Sequence, residues 1–203
     1  MKNLIIDLIT IFLFFILLFL IGIDCTMFIL LVAVCPFLII TKRKGLIFSL
    51  IIALMIAVIW GWIAEEYYVY AESSFKTELL NFYPILFWTL GLFMAISLFR
   101  DVKLIFDIKT FKVKLIIFSV LFWFGLIAIE TISYHILEIR NLATAKYKGL
   151  PICDCIHAPL WIQISYFIIG PLYFIILNIL NKGMNKTKIK LYGIKLSSYI
   201  KNK

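Results

Sequence analysis

The feature that most constrains this chain is an apolar run at residues 118–139 that carries ionisable side chains in its second half. A helix needs about 20 apolar residues to cross the hydrocarbon core of a bilayer, and this run is long enough. Glu130 lies about 20–25 Å along a helix anchored at Lys112 and Lys114. An unpaired carboxylate at that depth costs about 2.5 kcal/mol or more, so we expect Glu130 to be protonated, paired or facing a wet cavity.

Helical geometry places Tyr134, His135 and Glu138 on the same side of this run as Glu130. A face of this kind is suited to handling protons or coordinating a ligand. The alternative is a buried Glu130 that is hydrogen-bonded to Tyr134 or to a neighbouring helix. In that case His135 and Glu138 simply mark the exit from the membrane.

The rest of the chain is as apolar as this run. The sequence is 64% hydrophobic and its mean hydropathy is +1.07, whereas soluble domains are about 45–50% apolar. We therefore predict an all-α, polytopic transmembrane helix bundle in the cell membrane. The net charge of +9 lies in short loops and a tail beside apolar segments, which indicates membrane topology and not nucleic-acid binding.

The apolar segments predict six membrane spans, at residues 4–23, 26–40, 46–64, 79–99, 118–139 and 159–180. They form one membrane domain, residues 1–180, followed at 181–203 by a basic tail that we expect to be surface-attached or disordered. Of 20 Lys and Arg residues, those in outer segments are only Lys76, Arg140, Lys146 and Lys148. Because Lys and Arg concentrate in cytoplasmic loops, both termini are predicted to be cytoplasmic.

The segment between the fourth and fifth spans, residues 101–114, is amphipathic at helical spacing. This pattern is typical of a helix that lies on an anionic membrane surface. The alternative is that the neighbouring spans extend into the segment as helix.

A short pattern, G-x-I-A-x-E, occurs at residues 61–66 and again at residues 125–130. Each copy precedes an outer loop and then a span that opens near a proline, so spans 3–4 and 5–6 are predicted to form a parallel repeat. Coincidence in an Ile-rich sequence is the alternative. A true repeat would make Glu66 and Glu130 equivalent carboxylates at a common centre, where they would share a proton.

The loop before the last span holds Cys153, Cys155 and His157, the densest cluster of metal-ligand residue types. Alternate residues of an extended loop point the same way, and thiolate and imidazole suit zinc or copper. The spacing, however, is not a well-supported zinc pattern. Two alternatives stay open: a disulfide between Cys25 and one loop cysteine, and cysteines with no special role.

No motif in the chain names a reaction, a substrate or a cofactor, so three functions stay open. The first is binding or transport of a small solute, with ligand-binding candidates Glu65, Glu66, Glu130, Tyr134, Glu138 and His157. The second is an intramembrane lipid- or isoprenoid-modifying enzyme, with Glu66 and Glu130 as general acid and base and His135 assisting. The third is an accessory subunit of a membrane complex. The expected partners are the lipid bilayer, a small-molecule or lipid ligand, and another membrane protein.

Overall fold

The computed structural model describes residues 2–21, 23–69 and 82–201, with backbone alone at 2–3, 14–15, 18–19, 23–24 and 184–201. Six α-helices make up most of these ranges: α1 (Lys2–Ile21), α2 (Ile23–Ile40), α3 (Ile47–Ile63), α4 (Phe82–Ile105), α5 (Phe111–His135) and α6 (Leu160–Lys201). Short 3-10 turns occur at Lys44–Leu46 and Glu65–Tyr67. The described ranges contain no strand beyond one bridge between Leu150 and Cys155, so the all-α prediction is confirmed.

Four helical segments of the described chain are long and apolar enough to cross a membrane: Lys44–Ile63, Phe82–Ile105, Phe111–His135 and Leu160–Gly183. They coincide with the predicted third to sixth spans. The first two predicted spans are helical as well, as α1 and α2, and the apolar helical stretches found in them among the residues with described side chains are Leu4–Leu13 and Cys25–Ile40. Helix length and composition therefore support four spans, and the arrangement with six stays a prediction.

Helix α4 is the centre of the bundle, because it contacts each of the other five helices. Such a helix must be apolar on nearly all sides, and the fully buried Thr89 and Leu92 lie at its middle. Thr89 satisfies its own hydroxyl by donating to the carbonyl of Ile85 at 2.7 Å. One end of α4 lies beside Tyr68 and the other beside Arg43, so this helix joins the two polar regions of the molecule.

Helices α5 and α6 meet at a proline that breaks the hydrogen-bond ladder of α6. Pro171 has no N–H, so the carbonyl of Phe167, four residues earlier, loses its helical partner. The indole N–H of Trp123 on α5 donates to that carbonyl at 2.8 Å. Next to the proline, Gly170 allows close approach, because a Cβ there would overlap the ring of Phe122. Trp123 on α5 thus replaces the hydrogen bond that Pro171 removes from α6.

Two connections differ from expectation. Helix α4 continues through Ile105 and α5 begins at Phe111, so residues 101–114 extend the neighbouring helices and form no separate interfacial helix. Helix α6 continues to Lys201, because the chain after Pro171 contains no proline and its Lys, Leu and Ile residues permit helix. The basic segment is therefore helical, and its contact with a membrane surface stays a prediction. Residues 70–78 of the outer loop expected between the third and fourth predicted spans, and residues 79–81 at the start of the fourth, lie outside the described residues.

Candidate functional site

A pocket of about 60 Å³ opens at the end of the bundle where α4 begins and α5 ends. This volume accommodates a few water molecules or a small polar group. The wall comes from α4, α5, α6 and the loops beside them. Its aromatic residues are Tyr67, Tyr68, Tyr83, Phe87, Trp88, Tyr134 and Tyr166, and its ionisable residues other than tyrosine are Glu130 and His157.

Glu130 supplies the carboxylate of this pocket. Its side chain is half-buried and projects from the last two turns of α5. Within the described part of the chain, no hydrogen bond or ion pair reaches this carboxylate. An ionised carboxylate in such a place is stable only with a counter-charge, a proton or water beside it.

A hydrogen-bonded group of rings, centred on Tyr68, forms one wall of the pocket. The indole N–H groups of Trp60 and Trp88 donate to Tyr68 Oη at 2.7 Å and 2.9 Å, and Tyr166 Oη lies 2.8 Å from it. Either hydroxyl of the Tyr68–Tyr166 pair can be the donor. Burial raises the pKa of the Tyr68 hydroxyl, which keeps this group protonated and able to donate.

Edge-to-face ring contacts hold this wall rigid. Trp88 and Tyr166 have ring centroids 4.7 Å apart, and the ring of Trp60 lies 6.3 Å from Trp88 and 6.1 Å from Tyr166. All three contacts have interplanar angles between 73° and 79°, the geometry that aromatic quadrupoles favour. The rings come from α3, α4 and α6, so the wall also fixes three helices relative to one another.

Asn141 fixes the backbone on both sides of Tyr68. Its Nδ2 donates to the carbonyl of Tyr67, and its Oδ1 accepts from the N–H of Val69 at 3.1 Å. The N–H of Leu142 donates to the carbonyl of Val69 at 2.7 Å. The loop after α5 therefore positions the segment that carries the central tyrosine.

His157 holds the loop before α6 over the pocket. Its ring stacks on Tyr134 with 4.4 Å between centroids, and Arg140 lies over the same Tyr134 ring at 5.2 Å. The Nδ1 atom of His157 lies 2.8 Å from the carbonyl oxygen of Tyr147, and its Nε2 lies 3.0 Å from that of Asp154. Both ring nitrogens thus face carbonyl oxygens of the loop backbone, which leaves no room for a metal ion at either.

The loop cysteines form a disulfide with each other, between Cys153 and Cys155, while Cys25 is an exposed free thiol. The predicted disulfide between Cys25 and a loop cysteine is therefore wrong. The predicted metal site of Cys153, Cys155 and His157 is not formed, because the sulfurs bond each other and the imidazole binds carbonyls. No group of three or more His, Cys, Asp or Glu among the described residues is arranged to hold a metal ion.

The pocket brings together three of the predicted ligand-binding residues, Glu130, Tyr134 and His157. Glu65 and Glu66 lie instead in the 3-10 turn after α3, outside the pocket lining, and Glu66 is exposed. The predicted shared centre of Glu66 and Glu130 is therefore not formed. The cause is local, because α3 ends at residue 63, before Glu66, whereas α5 continues past Glu130. The two copies of the repeat thus differ in backbone conformation.

His135 and Glu138 lie outside the pocket because α5 ends at His135. Glu138 has a φ of 54°, so the chain turns there and does not continue the helical face. The Nε2 atom of His135 lies 2.9 Å from the carbonyl oxygen of Cys153, and both side chains are exposed. The polar face predicted for residues 130–138 therefore stops at Tyr134.

A second polar cluster, at the opposite end of α4, was missed by the sequence reasoning. The guanidinium of Arg43 binds both carboxylate oxygens of Asp7, at 2.5 Å and 2.9 Å, and also donates to Ser97 Oγ at 2.7 Å. The hydrogen bond to Asp7 raises the pKa of Arg43. The available signal was an acidic residue within the first apolar segment, since such a residue usually has a cationic partner.

Fold and site together define a helical protein whose described residues include four helices suited to crossing a membrane. One end of the bundle holds a half-buried carboxylate among aromatic rings, and the other holds a buried arginine and two aspartates. Comparison with protein families, with curated proteins and with solved structures found no match.

Proposed function

We propose that this protein is a multi-pass protein of the cell membrane that binds a small organic cation, such as an amine or methylated ammonium, in the Glu130 pocket. One observation carries the proposal: a carboxylate without a partner among the described residues lies in a pocket lined by aromatic rings. Capture of such a solute, or its transport, is the role that this chemistry supports best.

The chemistry of the lining favours a cation over other ligands. Aromatic faces attract ammonium groups by about 0.5–2 kcal/mol, and most strongly where water is excluded. The rings of Tyr68, Trp88 and Tyr166 are buried, and beside them Glu130 offers a carboxyl group whose ionised form a bound cation would stabilise. Tyr134, which also lines the pocket, has Arg140 over its ring at 5.2 Å, a cation–ring contact of the same kind within the protein itself.

A lipid-modifying enzyme has less support from this geometry. Its acid and base would be Glu66 and Glu130 at one centre, but Glu66 is exposed and does not line the pocket. His135, the predicted assisting group, is exposed and bound to a loop carbonyl. A binding site needs only the single carboxylate that the pocket contains.

Binding can be tested with the purified protein in detergent, titrated with methylammonium or tetramethylammonium chloride at constant ionic strength. Tryptophan fluorescence reports on occupancy, because Trp88 lines the pocket. A charge-assisted contact contributes about 1.5–3 kcal/mol, so Glu130→Gln should weaken saturable binding at least about tenfold. The matched control is Glu66→Gln, which should bind like wild type. Equal affinities of the Glu130→Gln and wild-type proteins, or no saturable binding of either ion by wild type, would contradict the proposal.

The orientation is part of the proposal: six spans with both termini in the cytoplasm place the pocket on the outer face. The distribution of Lys and Arg supports this arrangement. The hairpin of α1 and α2 distinguishes six spans from four, since both arrangements leave the termini on the same side of the membrane. Cys25, an exposed free thiol at the start of α2, marks the tip of that hairpin.

We expect a membrane-impermeant maleimide to label Cys25 in intact cells carrying a Cys35→Ser variant. The substitution removes the other free thiol, which is also exposed, and the loop cysteines are protected by their disulfide. The control is a variant with both Cys25→Ser and Cys35→Ser, which should not react. Labelling of Cys25 only after the cells are opened would show that the hairpin tip does not reach the outer face.

A further inference from the structure

The cluster around Arg43 contains a carboxylate that its hydrogen bonds do not satisfy. Arg43, Asp7 and Asp101 are 4%, 7% and 5% exposed, so the three charged groups are almost completely buried. They come from the turn after α2, from α1 and from α4. The cluster therefore joins three elements through ion pairs and hydrogen bonds that are almost completely shielded from bulk water.

Asp101 receives no hydrogen bond from Arg43 Nη2, because both hydrogens of that atom are donated to other groups. The Nη2 atom of Arg43 carries two hydrogens, and these are donated to Asp7 Oδ2 at 2.9 Å and to Ser97 Oγ at 2.7 Å. The Ser97 hydroxyl in turn donates to Asp7 Oδ2 at 2.7 Å. Asp101 Oδ2 lies 3.8 Å from the same Nη2, beyond hydrogen-bond distance. It is the one buried side-chain nitrogen or oxygen of the described residues that has no hydrogen-bond partner.

The charges of the cluster do not balance either. One guanidinium faces two carboxylates, so ionisation of both leaves one buried negative charge in excess. An uncompensated buried charge costs several kcal/mol even after local relaxation. Asp7 holds both arms of Arg43, so the excess charge belongs to Asp101.

We propose that Asp101 is a proton-binding site, whose carboxyl group takes up a proton while Asp7 remains paired with Arg43. A proton suits the position better than a metal ion, because a proton needs a single carboxyl group, whereas a metal ion needs several ligands at once. The described residues also offer no group of three or more His, Cys, Asp or Glu that could hold one. This proposal does not depend on the Glu130 pocket.

The ionisable groups that act on Asp101 are few. Asp7 faces it from α1 and Arg43 from the turn after α2, while the exposed Arg100 precedes it on α4. Within the described side chains, α3, α5 and α6 contribute no charged group to this set. Protonation of Asp101 therefore changes the charge of a small and isolated cluster.

Infrared difference spectra of the protein in lipid, recorded between mildly acidic and alkaline pH, test the site directly. Wild type should show the carbonyl stretch of a protonated carboxylic acid that disappears as pH rises, and Asp101→Asn should lack that band. The matched control is Asp107→Asn, since the Asp107 side chain is 78% exposed on the turn after α4. That control should keep the band.

Labelling wild type with ¹³C-aspartate supplies a test that needs no variant. The band should shift to lower frequency, which assigns it to aspartate and separates it from Glu130. Identical spectra for wild type and a folded Asp101→Asn protein, or a band that labelled aspartate does not shift, would overturn the assignment. In that case Asp7, Arg43 and Asp101 would form a permanently charged triad.

Discussion

Arg43→Gln is expected to lower the free energy of unfolding by about 3–5 kcal/mol, because it leaves buried carboxylates without their counter-charge. Asp7 would lose the donors at 2.5 Å and 2.9 Å, and Ser97 would lose the donor at 2.7 Å. Glutamine offers one amide in place of a planar two-armed cation. Unfolding in mixed detergent micelles, followed by circular dichroism, measures the change.

The matched control for this prediction is Arg100→Gln. Arg100 is exposed and makes no hydrogen bond or ion pair with a described residue, so its replacement should stay within about 0.5 kcal/mol of wild type. Adding Asp7→Asn and Asp101→Asn to Arg43→Gln removes the orphaned charges and should recover part of the loss. Equal stability of Arg43→Gln and Arg100→Gln would show that the buried cluster contributes nothing measurable.

The helices could be predicted because apolar length is a strong and local signal. The segments around α3, α4, α5 and α6 were each long enough to span a bilayer, and the structure makes each of them a helix. The placement of Glu130 and Tyr134 on one side also followed from helical periodicity. Such reasoning holds as long as the helix continues.

The failed predictions concern helix ends and loops, where periodicity carries no information. Glu138 leaves the expected face because the chain adopts a left-handed conformation there, and no glycine or proline in the sequence marks that turn. Glu66 leaves the expected centre because α3 ends three residues before it. Cys153 and Cys155 were expected to converge on a metal ion from an extended loop, but the loop turns at Asp154 and the two cysteines bond each other.

The partners in contacts between distant helices could not be identified from the sequence. Arg43 was visible only as part of a basic triplet that indicates topology, whereas its partner Asp7 is 36 residues away. Trp88 and Tyr166 come from different helices, and their link through Tyr68 depends on how those helices pack. The aromatic wall of the pocket therefore required the three-dimensional structure.

Tyr68→Phe is expected to lower the free energy of unfolding by about 2–4 kcal/mol, although it removes a single oxygen atom. Trp60 and Trp88 both donate to that oxygen, at 2.7 Å and 2.9 Å. Each buried donor left without an acceptor costs about 1–3 kcal/mol, and the added ring hydrogen cannot accept. Chemical unfolding followed by tryptophan fluorescence measures the loss, and the emission of the folded state should change because two indole N–H groups lose their acceptor.

Tyr67→Phe separates this effect from the general loss of a hydroxyl. The Tyr67 ring packs against Trp161 with centroids 5.4 Å apart, and its hydroxyl makes no hydrogen bond with a described residue. Its replacement should therefore change stability by no more than about 0.5 kcal/mol. If the two phenylalanine variants unfold alike, the indole N–H groups must find other acceptors. The central role of Tyr68 in joining α3, α4 and α6 would then be refuted, and ring packing alone would have to hold the pocket wall.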